Sequence, residues 1–329
     1  MSIRILWYPK SWKAFIENPN WIFMTSNRMR VYNFHESIKN YDHVDSEVFN
    51  ITVKNIDPLS FDVIIFQKKA PDNTLAKKLS NSSDKFVVFD ICDPASEEFL
   101  KNAHEYINLF ITSSHELGDQ TKEKTKVPVE VVVDAHEANP SWNKSHLSKE
   151  KIIVSWYGIG ENYIQYVKPI RSYLDLDFVN FQFACGNEYI QQLGEVEGFQ
   201  EGIEMRMDWR ESWGKENSWQ RFIFNSDVGV VPVFGAVKPA HKIQNYMAYG
   251  IPVICTPTDA HKRIIKHGEN GFFASSNEDW SKYIDILRDP EIRNTIGEKA
   301  RDSVLKQYSI QSKADDYLDT IKRHYISNK

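Results

Sequence analysis

The sequence predicts a two-domain α/β protein, in which each domain has a mainly parallel sheet with helices on both faces. Short apolar runs alternate with helix-like segments along most of the 329 residues, which is the pattern of a doubly wound sheet. A polar stretch interrupts this alternation at residues 137–150, after which the alternation restarts. A chain of this length also exceeds what a single hydrophobic core normally serves.

The composition narrows the class of protein. A hydrophobic content of 41% with 26% charged residues is ordinary for a soluble globular chain, and the net charge of −5 gives no sign of nucleic-acid binding. Cys92, Cys185 and Cys255 are odd in number and widely spaced, which argues against disulfides or a zinc site and indicates a reducing cytosol. No apolar run approaches the ~18 residues of a membrane span, and the N-terminus is not a signal peptide. We therefore expect a cytoplasmic protein.

Aromatic residues cluster near the N-terminus. Flat rings can stack on sugars or lie at a lipid interface, although they more often fill a core. Peripheral membrane contact therefore stays open as an alternative. The cluster comprises Trp7, Tyr8, Trp12, Phe15, Trp21 and Phe23.

The first domain is assigned to residues 1–140 and contains six short apolar runs of strand character. The predicted strands are Ile3–Trp7, Glu47–Val53, Phe61–Phe66, Lys85–Phe89, Ile107–Thr112 and Val129–Val133. The predicted helices are Asn27–Ile38, Asn73–Leu79, Pro94–Tyr106 and one that Ser113 or Ser114 caps.

Charged residues follow two elements of this domain. Arg28 and Arg30 stand at a loop-to-helix junction, where guanidinium groups can bind a phosphate or carboxylate in a bidentate fork; a solvated surface pair is the alternative. Asp90 and Asp93 follow the fourth strand at its carboxyl end, where ligands gather in open α/β sheets. We interpret them as acid/base or substrate-hydroxyl candidates, whereas Asp93 alternatively caps the helix that Pro94 begins.

The second domain is assigned to residues 151–308, after a linker at 141–150 within the polar stretch. Its predicted strands are Ile152–Tyr157, Val179–Ala184, Ile203–Trp209, Asp227–Val233, Ile251–Cys255 and Phe272–Phe273. Its predicted helices begin near Asn162 and cover Trp219–Asn225, 239–249, His261–His267 with Asp259 as cap, Asn277–Arg288 and Pro290–Gln307. A last helix covers Ile310–Tyr325.

The stretch Lys238–Thr256 has a helix start, a helix stop and a following strand. Pro239 suits a first helical position, and Gly250 supplies the left-handed residue that ends the helix. The first turn carries Lys238, His241 and Lys242, which place positive charge on the positive end of the helix dipole. That arrangement is unfavourable unless an anion such as phosphate binds there; a core helix that happens to carry basic residues is the alternative.

Two glycines follow the first strand of the second domain. Gly158 and Gly160 form a Gly-x-Gly turn between strand and helix, which lets phosphate groups approach the backbone. The turn lacks the third glycine of the dinucleotide-binding fingerprint, so by itself it is a weak signal.

Four short motifs follow one another in the second half of the chain. They are residues 227–232 (DVGVVP), residues 242–254 (KIQNYMAYGIPVI), residues 267–272 (HGENGF), and Ala300-Arg301 with Gln307-Tyr308-Ser309. In this order they resemble the C-terminal domain of GT-B-fold glycosyltransferases, in particular the large retaining family called glycosyl transferases group 1. The matching family patterns are an aDv-x-l-x-P strand, a K-x-x-E-y-M-A-x-G-x-P-V-I segment, an hG-x-n-G-f turn and the closing helices. In the first half, Arg28-Met29-Arg30 is loosely similar to an R-x-R of some members.

The resemblance implies two Rossmann-like domains that face a cleft, with a helix at 309–329 crossing back to the N-terminal domain. It implies a metal-independent, retaining hexosyltransferase that uses a nucleoside diphosphate sugar as donor substrate and needs no cofactor. The donor would contact Gly158, Gly160, Lys238, His241, Lys242 and Asn245. The acceptor, a glycan, a lipid-linked group or another hydroxyl compound, would contact Arg28 and Arg30, with Asp93, Asp90 and Lys242 as the catalytic candidates.

This chain departs from the family pattern in three ways. The Arg and Lys that usually neutralise the donor diphosphate are not apparent after Gly158, and Lys238, His241 and Lys242 would replace them. The family Glu that binds the donor ribose is Asn245 here, and the position eight residues earlier, where many members have another Glu, is Val237. Asn245 can still donate and accept hydrogen bonds but carries no charge. Two other functions therefore stay open: a nucleotide-sugar epimerase on the same fold, and a catalytically silent partner subunit.

Overall fold

The computed structural model describes residues 2–9, 25–49, 56–68, 70–82, 84–158, 160–184, 218–234 and 239–328, and every structural statement below concerns these residues. The chain divides into two compact units. Unit 1 comprises residues 1–135 and 309–329, and unit 2 comprises residues 136–308.

Unit 1 has six strands in its described part. They are β1 (Ile3–Tyr8), β2 (Val44–Val48), β3 (Val63–Gln67), β4 (Phe86–Ile91), β5 (Leu109–Thr112) and β6 (Val129–Val131). They form one sheet of order β2-β1-β3-β4-β5-β6 in which every neighbouring pair is parallel. Their near-continuous apolar runs suit a parallel sheet that is buried on both faces.

The helices of unit 1 connect successive strands. They are α1 (25–38, with a π-helical turn at Arg28–Tyr32), α2 (Asn73–Ser80), α3 (Glu97–Asn102) and α4 (His115–Lys122). The terminal helix (Ile310–Ser327) also belongs to this unit. Phe34 and Ile38 of α1 and Leu318 and Ile321 of the terminal helix pack in one cluster against inward residues of the sheet such as Ile65.

Unit 2 has five strands in its described part. They are β7 (Ile152–Tyr157), β8 (Val179–Ala184), β9 (Val228–Val231), β10 (Val253–Cys255) and β11 (Phe272–Phe273). They form one sheet of order β11-β10-β9-β7-β8, again with parallel neighbours. The helices are α5 (160–174, of mixed helical type), α6 (Ser218–Asn225), α7 (His241–Ala248), α8 (Asp259–Lys262), α9 (Asn277–Ile286) and α10 (Pro290–Val304). Two separate hydrophobic clusters, one containing Trp156 and the other Tyr157, cover the two faces of this sheet.

Residues 136–150, most of which lie in the predicted linker region, belong to unit 2. Arg301 of α10 donates to the backbone oxygens of Pro140, Trp142 and Ala248, which fixes this segment against the end of α7. The Lys144 ammonium donates to the Phe224 carbonyl at 3.0 Å and so satisfies an orphan carbonyl at the end of α6. The segment is therefore a packed part of the unit.

Several helix and strand bounds differ from the sequence-based expectation. Strand β2 begins at Val44 and ends at Val48, and the predicted remainder, 50–53, lies outside the described residues, as does the predicted strand at 203–209. Asp93 caps no helix, because the cap of α3 is Ser96, whose side chain accepts from Phe99. The helix after β10 is a single turn capped by Thr258 instead of a longer helix capped by Asp259. At both of these helix starts a nearby hydroxyl group, that of Ser96 or Thr258, supplies the capping oxygen.

Candidate active site

The carboxyl edge of the unit 2 sheet brings together two helix starts. Strand β7 lies next to β9; α5 begins at Gly160 just after β7, and α7 is the helix that follows β9. In a parallel sheet the crossover helices begin at the carboxyl edge, so the N–H groups of both first turns point there. This edge is where the sequence predicts phosphate binding.

Lys242 lies over the end of β7. A methyl group placed on Gly158 would come within 3.1 Å of the Lys242 ammonium and 2.7 Å of the Trp156 ring. The same ammonium is 5.5 Å from the centre of that ring. A side chain at position 158 would therefore overlap the Trp156 ring and crowd the lysine ammonium. The predicted residues Gly158 and Lys242, which are far apart in sequence, are adjacent in the fold.

The start of α7 is suited to an anion. Ala240 occupies the N-cap position and supplies no side-chain acceptor for the first-turn N–H groups. His241 and Lys242 are partly exposed within that first turn. A lysine on the positive end of a helix dipole is a position that a bound anionic group would favour. The helix begins at His241, two residues after Pro239, and Lys238 lies outside the described residues.

The far end of α7 is fixed in place by backbone packing. Gly250 has φ +75°, the left-handed conformation that favours glycine. A Cβ on Gly297 of α10 would overlap the Gly250 carbonyl oxygen. The inward residues Ile243 and Met247 are both fully buried, as predicted. The first turn of α7 is therefore presented by a rigid element.

Asn245 is occupied by the protein itself. Its side-chain oxygen accepts from the Glu137 N–H at 2.7 Å, and its amide nitrogen donates to the Tyr157 hydroxyl at 3.0 Å. The residue is 1% exposed. Asn245 thus joins the start of the 136–150 segment to the end of β7, and its burial leaves almost no surface for contact with a donor. Nothing in the sequence indicated Glu137 and Tyr157 as its partners.

Arg30 and Asp90 form a buried ion pair in unit 1. The Arg30 guanidinium donates to Asp90 at 2.7 Å and to the Val132 carbonyl at 2.6 Å, and it also contacts Asp134. The Tyr317 hydroxyl of the terminal helix donates to the same carboxylate at 3.0 Å. Arg30 is 1% exposed and Asp90 is 0% exposed. Contact of either residue with an acceptor would require this ion pair to break. In this structure both residues therefore stabilise the core of unit 1.

Asp93 lies at the carboxyl edge of unit 1, beside Lys68. The Lys68 ammonium pairs with the Asp93 carboxylate, whose side chain is 58% exposed. Burial alone would lower the pKa of Lys68, but Cys92 and Asp93 outweigh it and raise that pKa. Asp93 is therefore the accessible one of the two predicted aspartates. Arg28 stands at the start of the π-helical turn of α1 and is 6% exposed.

The described residues contain neither a metal-binding cluster nor a membrane-spanning helix. Among the described residues, no group of three or more His, Cys, Asp or Glu side chains is arranged to hold a metal ion. None of the described helices combines the length and the apolar character that crossing a bilayer requires. Of the cysteines, Cys92 and Cys255 are free, and Cys185 lies outside the described residues. Four members of the N-terminal aromatic cluster also lie outside the described residues: Trp12, Phe15, Trp21 and Phe23.

Comparison with known proteins supports the fold prediction. Residues 210–319 match a family described as glycosyl transferase-like, whereas no curated protein matches the sequence. The fold is similar to that of HepE from Anabaena in complex with UDP and glucose, with a TM-score of 0.64 and 14% identity over 98% of this chain and 100% of that chain. It is also similar to a glycosyltransferase from Rickettsia africae, with a TM-score of 0.69 and 12% identity over the whole of both chains.

A third similar structure is the sucrose-phosphate synthase from Thermosynechococcus elongatus, with a TM-score of 0.66 and 11% identity over 98% of this chain and 100% of that chain. The GT-B fold predicted from the sequence is thereby confirmed. The family match falls in unit 2 and in the terminal helix, and it includes the start of α7.

Proposed function

We propose that this GT-B-fold chain, with its glycosyl transferase-like second half, is a glycosyltransferase that moves a sugar from a nucleoside diphosphate sugar to an acceptor hydroxyl. We place the reaction in glycan or cell-surface polysaccharide assembly. The observation that carries the proposal is the Lys242 ammonium, which lies over Gly158 at the carboxyl edge of the unit 2 sheet. A lysine held against a glycine beside two helix starts is suited to a diphosphate.

The chemistry needs positive charge at the leaving group. As the glycosidic bond breaks, charge gathers on the diphosphate oxygen, and fixed cations and N–H donors stabilise the transition state at that oxygen. Lys242, His241 and the first-turn N–H groups of α5 and α7 supply these donors. The reaction we propose is metal-independent, needs no cofactor beyond the donor substrate, and retains the anomeric configuration as the resemblance implies.

The first donor to examine is a uridine diphosphate sugar. Two of the structures similar to this chain are HepE in complex with UDP and glucose and HepE in complex with UDP-glucose. These complexes support a nucleotide-sugar donor here, although the sequence identity is 14%. Uridine diphosphate contains the charged part that Lys242 would contact, so it is the minimal probe of the site.

The acceptor binds unit 1 in our proposal, with Asp93 as the accessible carboxylate near the acceptor hydroxyl. The acceptor is a glycan, a lipid-linked group or another hydroxyl compound. We propose a cytoplasmic location, which the free thiols of Cys92 and Cys255 support. Peripheral membrane contact, through which a lipid-linked acceptor would be reached, stays part of the proposal.

The experiment measures release of uridine diphosphate from UDP-glucose and related donors. We expect Lys242→Ala to lower turnover roughly 10²–10³-fold, the usual effect of removing one transition-state donor. Lys266→Ala is the matched control, because the Lys266 side chain is 74% exposed and pairs only at the surface with Glu269 among the described residues. Equal turnover in the wild type and Lys242→Ala would refute the assignment.

The pairing of Asn245 favours a second candidate, a catalytically silent partner subunit. Its side chain is paired with Glu137 and Tyr157, and because it is 1% exposed it is not presented to a ribose. Calorimetry with nucleoside diphosphates separates the two functions. A silent subunit shows no binding even at high ligand concentration, whereas the transferase binds without any acceptor.

A further inference from the structure

Trp156 and Lys242 reach the carboxyl edge of unit 2 from opposite faces of its sheet. Trp156 packs in the cluster that contains Tyr163 of α5, whereas Ile243, the residue after Lys242 in α7, packs in the cluster on the other face. The Lys242 ammonium nevertheless lies over the Trp156 ring, 5.5 Å from its centre. The lysine side chain therefore extends across the end of β7, from the side of α7 toward the side of α5.

Gly158 marks the point at which the lysine crosses the strand end. It follows β7 directly, and its N–H donates to the Ala184 carbonyl of β8 at 3.0 Å, which fixes its backbone in the sheet. A Cβ at this position would meet both the Trp156 ring and the Lys242 ammonium. The ring, the bare backbone and the ammonium therefore lie together at one point of the carboxyl edge.

The Trp156 ring is held firmly by its neighbours in the core. It is 1% exposed, and it meets the Tyr163 ring edge-on, with 5.5 Å between the ring centres and 72° between the ring planes. The Tyr163 ring packs in turn on Phe183 of β8, at 4.8 Å between centres. A buried ring packed in this way keeps one orientation, so the same face is presented to the lysine whether or not a ligand is bound.

An indole ring suits a cation that has to bind an anion. Tryptophan is the best aromatic partner for an ammonium group, and the attraction is stronger where water is excluded. Because a lysine side chain is long and flexible, a fixed ring limits the positions that its ammonium occupies. A carboxylate would also hold a lysine, as Asp227 holds Lys149, but it would offset the positive charge. A neutral ring leaves that charge for the ligand.

We propose that Trp156 is a positioning residue, whose ring holds the Lys242 ammonium over Gly158 and so keeps the cation in place for the diphosphate of the donor. A cation that is already in place needs no reorganisation when charge develops on the leaving group. The inference deepens the proposed function and rests on it, because it states how the charge at that site is kept ready. Trp156 lies inside β7, where the sequence indicates only a buried strand.

Calorimetric titration of the full chain with uridine diphosphate gives the first test. Trp156→Leu keeps an apolar side chain but removes the ring, and we expect it to weaken binding roughly five- to thirtyfold, which corresponds to about 1–2 kcal/mol. Trp156→Phe keeps a smaller ring and should bind within roughly threefold of the wild type.

Trp280→Leu is the matched control for the loss of a buried indole. Trp280 is also 1% exposed and packs in the same cluster, but it belongs to α9, which follows β11, three places from β7 in the sheet. It should bind uridine diphosphate as the wild type does. Equal weakening by Trp156→Leu and Trp280→Leu, or by Trp156→Leu and Trp156→Phe, would show that Trp156 only fills the core, and it would overturn the proposal.

A double-mutant cycle shows whether the ring acts through the ammonium. In a chain that already carries Lys242→Ala, we expect Trp156→Leu to change the affinity for uridine diphosphate less than about twofold, because no ammonium is left to position. The same fold-change for Trp156→Leu in both backgrounds would mean that the two residues act independently, and the proposal would then be wrong.

Tryptophan emission gives a readout that a purely structural residue would not move, and it stands even if Trp156→Leu fails to fold. The diphosphate brings negative charge to the ammonium over the Trp156 ring. We therefore expect the emission of the wild type, excited where uracil does not absorb, to change with the same midpoint as the calorimetric titration. Trp156→Phe should bind without this change. An identical change in Trp156→Phe, or none in the wild type, would contradict the proposal.

The same titrations distinguish failure of this inference from failure of the proposed function. Binding that is weakened by Lys242→Ala and unchanged by Trp156→Leu refutes the role of Trp156 and leaves the transferase standing. No binding of uridine diphosphate by the wild type refutes the proposed function, and the inference that rests on it falls as well.

Discussion

Asp227 shows how one buried carboxylate organises the end of the polar 136–150 segment. Its oxygens accept from the Lys149 ammonium at 2.9 Å and from the Ile153 N–H at 2.9 Å, and they lie near His146 and Lys144. Burial alone would raise the pKa of Asp227, but these hydrogen bonds and charges outweigh it and hold the pKa well below its usual value. The segment, the start of β7 and the end of α6 are thereby joined at one residue.

The substitution Asp227→Asn should destabilise the protein strongly at neutral pH and only slightly in acid. The unfolded-state pKa of Asp is about 3.9, and the folded-state value lies below it. The stabilisation is therefore fully present above about pH 4 and is lost as the pH falls through the lower folded-state pKa. Since removing one partner of a buried ion pair costs about 3–5 kcal/mol, we expect a loss of about 3 kcal/mol in the free energy of unfolding at pH 7.

Chemical denaturation of wild type and variant from pH 7 to pH 2 checks this prediction. Asp175→Asn is the control, because that carboxylate is 76% exposed and its pair with Arg171 is at 3.4 Å; surface pairs contribute little. A constant difference between wild type and Asp227→Asn over the whole range would contradict the account.

At the scale of single residues, sequence reasoning identified the charged residues but not their partners. Lys242 and Gly158 were both predicted as donor contacts, and the fold places them together. Arg30 and Asp90 were predicted as separate contacts of the acceptor, whereas they pair with each other. A sequence shows charge and local position, but the pairing of residues that are 60 positions apart depends on strand order.

Helix α7 is positioned by one backbone contact at its end. Gly297 of α10 packs against the carbonyl of Gly250, so closely that a Cβ has no room. The sequence predicted the role of Gly250 from the helix stop that it makes, and the observed φ of +75° agrees. It offered no sign of the role of Gly297, because a glycine inside a helix gives no local signal for the element against which it packs.

Gly297→Ala should destabilise unit 2 although alanine is the better helix former. The propensity gain is up to about 1 kcal/mol, whereas forcing a methyl group into a well-packed contact typically costs about 1–3 kcal/mol. We expect a net loss in the free energy of unfolding and weaker binding of uridine diphosphate, because the start of α7 would shift. Denaturation and calorimetry measure both effects.

Thr295→Ala, at an exposed position of the same helix, controls for propensity alone. An increase in stability for Gly297→Ala similar to that of Thr295→Ala would show that the glycine contact does not position α7.

For whole elements, the alternation of strands and helices was the reliable part of the prediction. Every predicted strand that lies in the described residues has a counterpart, because buried parallel strands are visible as short apolar runs. Apart from the start of β2, the errors fall at helix ends, where capping decides the boundary. The observed caps are Ser96 and Thr258, whereas the predicted caps are Asp93 and Asp259. Several neighbouring residues can each supply the capping oxygen, so the sequence does not single out one of them.

On the scale of the whole molecule, the terminal helix completes the core of unit 1 from the other end of the chain. Tyr317 donates to Asp90 across 227 positions of sequence, and its ring centre is 5.4 Å from that of Trp7. Unit 2, inserted between the two parts of unit 1, has its own hydrophobic clusters. Local sequence patterns do not report such distant contacts.

Tyr317→Phe should therefore loosen unit 1 and leave unit 2 unaffected. A hydrogen bond to a charged group contributes about 1.5–3 kcal/mol, so amide protection in β3, β4 and β5 should fall by roughly tenfold or more. Protection in β7, β9 and β10 should stay at the wild-type level. Hydrogen exchange followed by mass spectrometry measures both sets, and an equal fall in the two units, or no fall in unit 1, would contradict the division of the chain.

Diphosphate binding at the start of α7 is measured by calorimetric titration of the full chain with uridine diphosphate, with wild type, Lys242→Ala and Lys266→Ala compared in the same buffer. We expect wild type and Lys266→Ala to bind alike and Lys242→Ala to bind at least tenfold more weakly, because the diphosphate loses the cation above Gly158. Equal affinity in all three proteins, or no binding by the wild type, would contradict the claim that the start of α7 holds the diphosphate of an activated sugar.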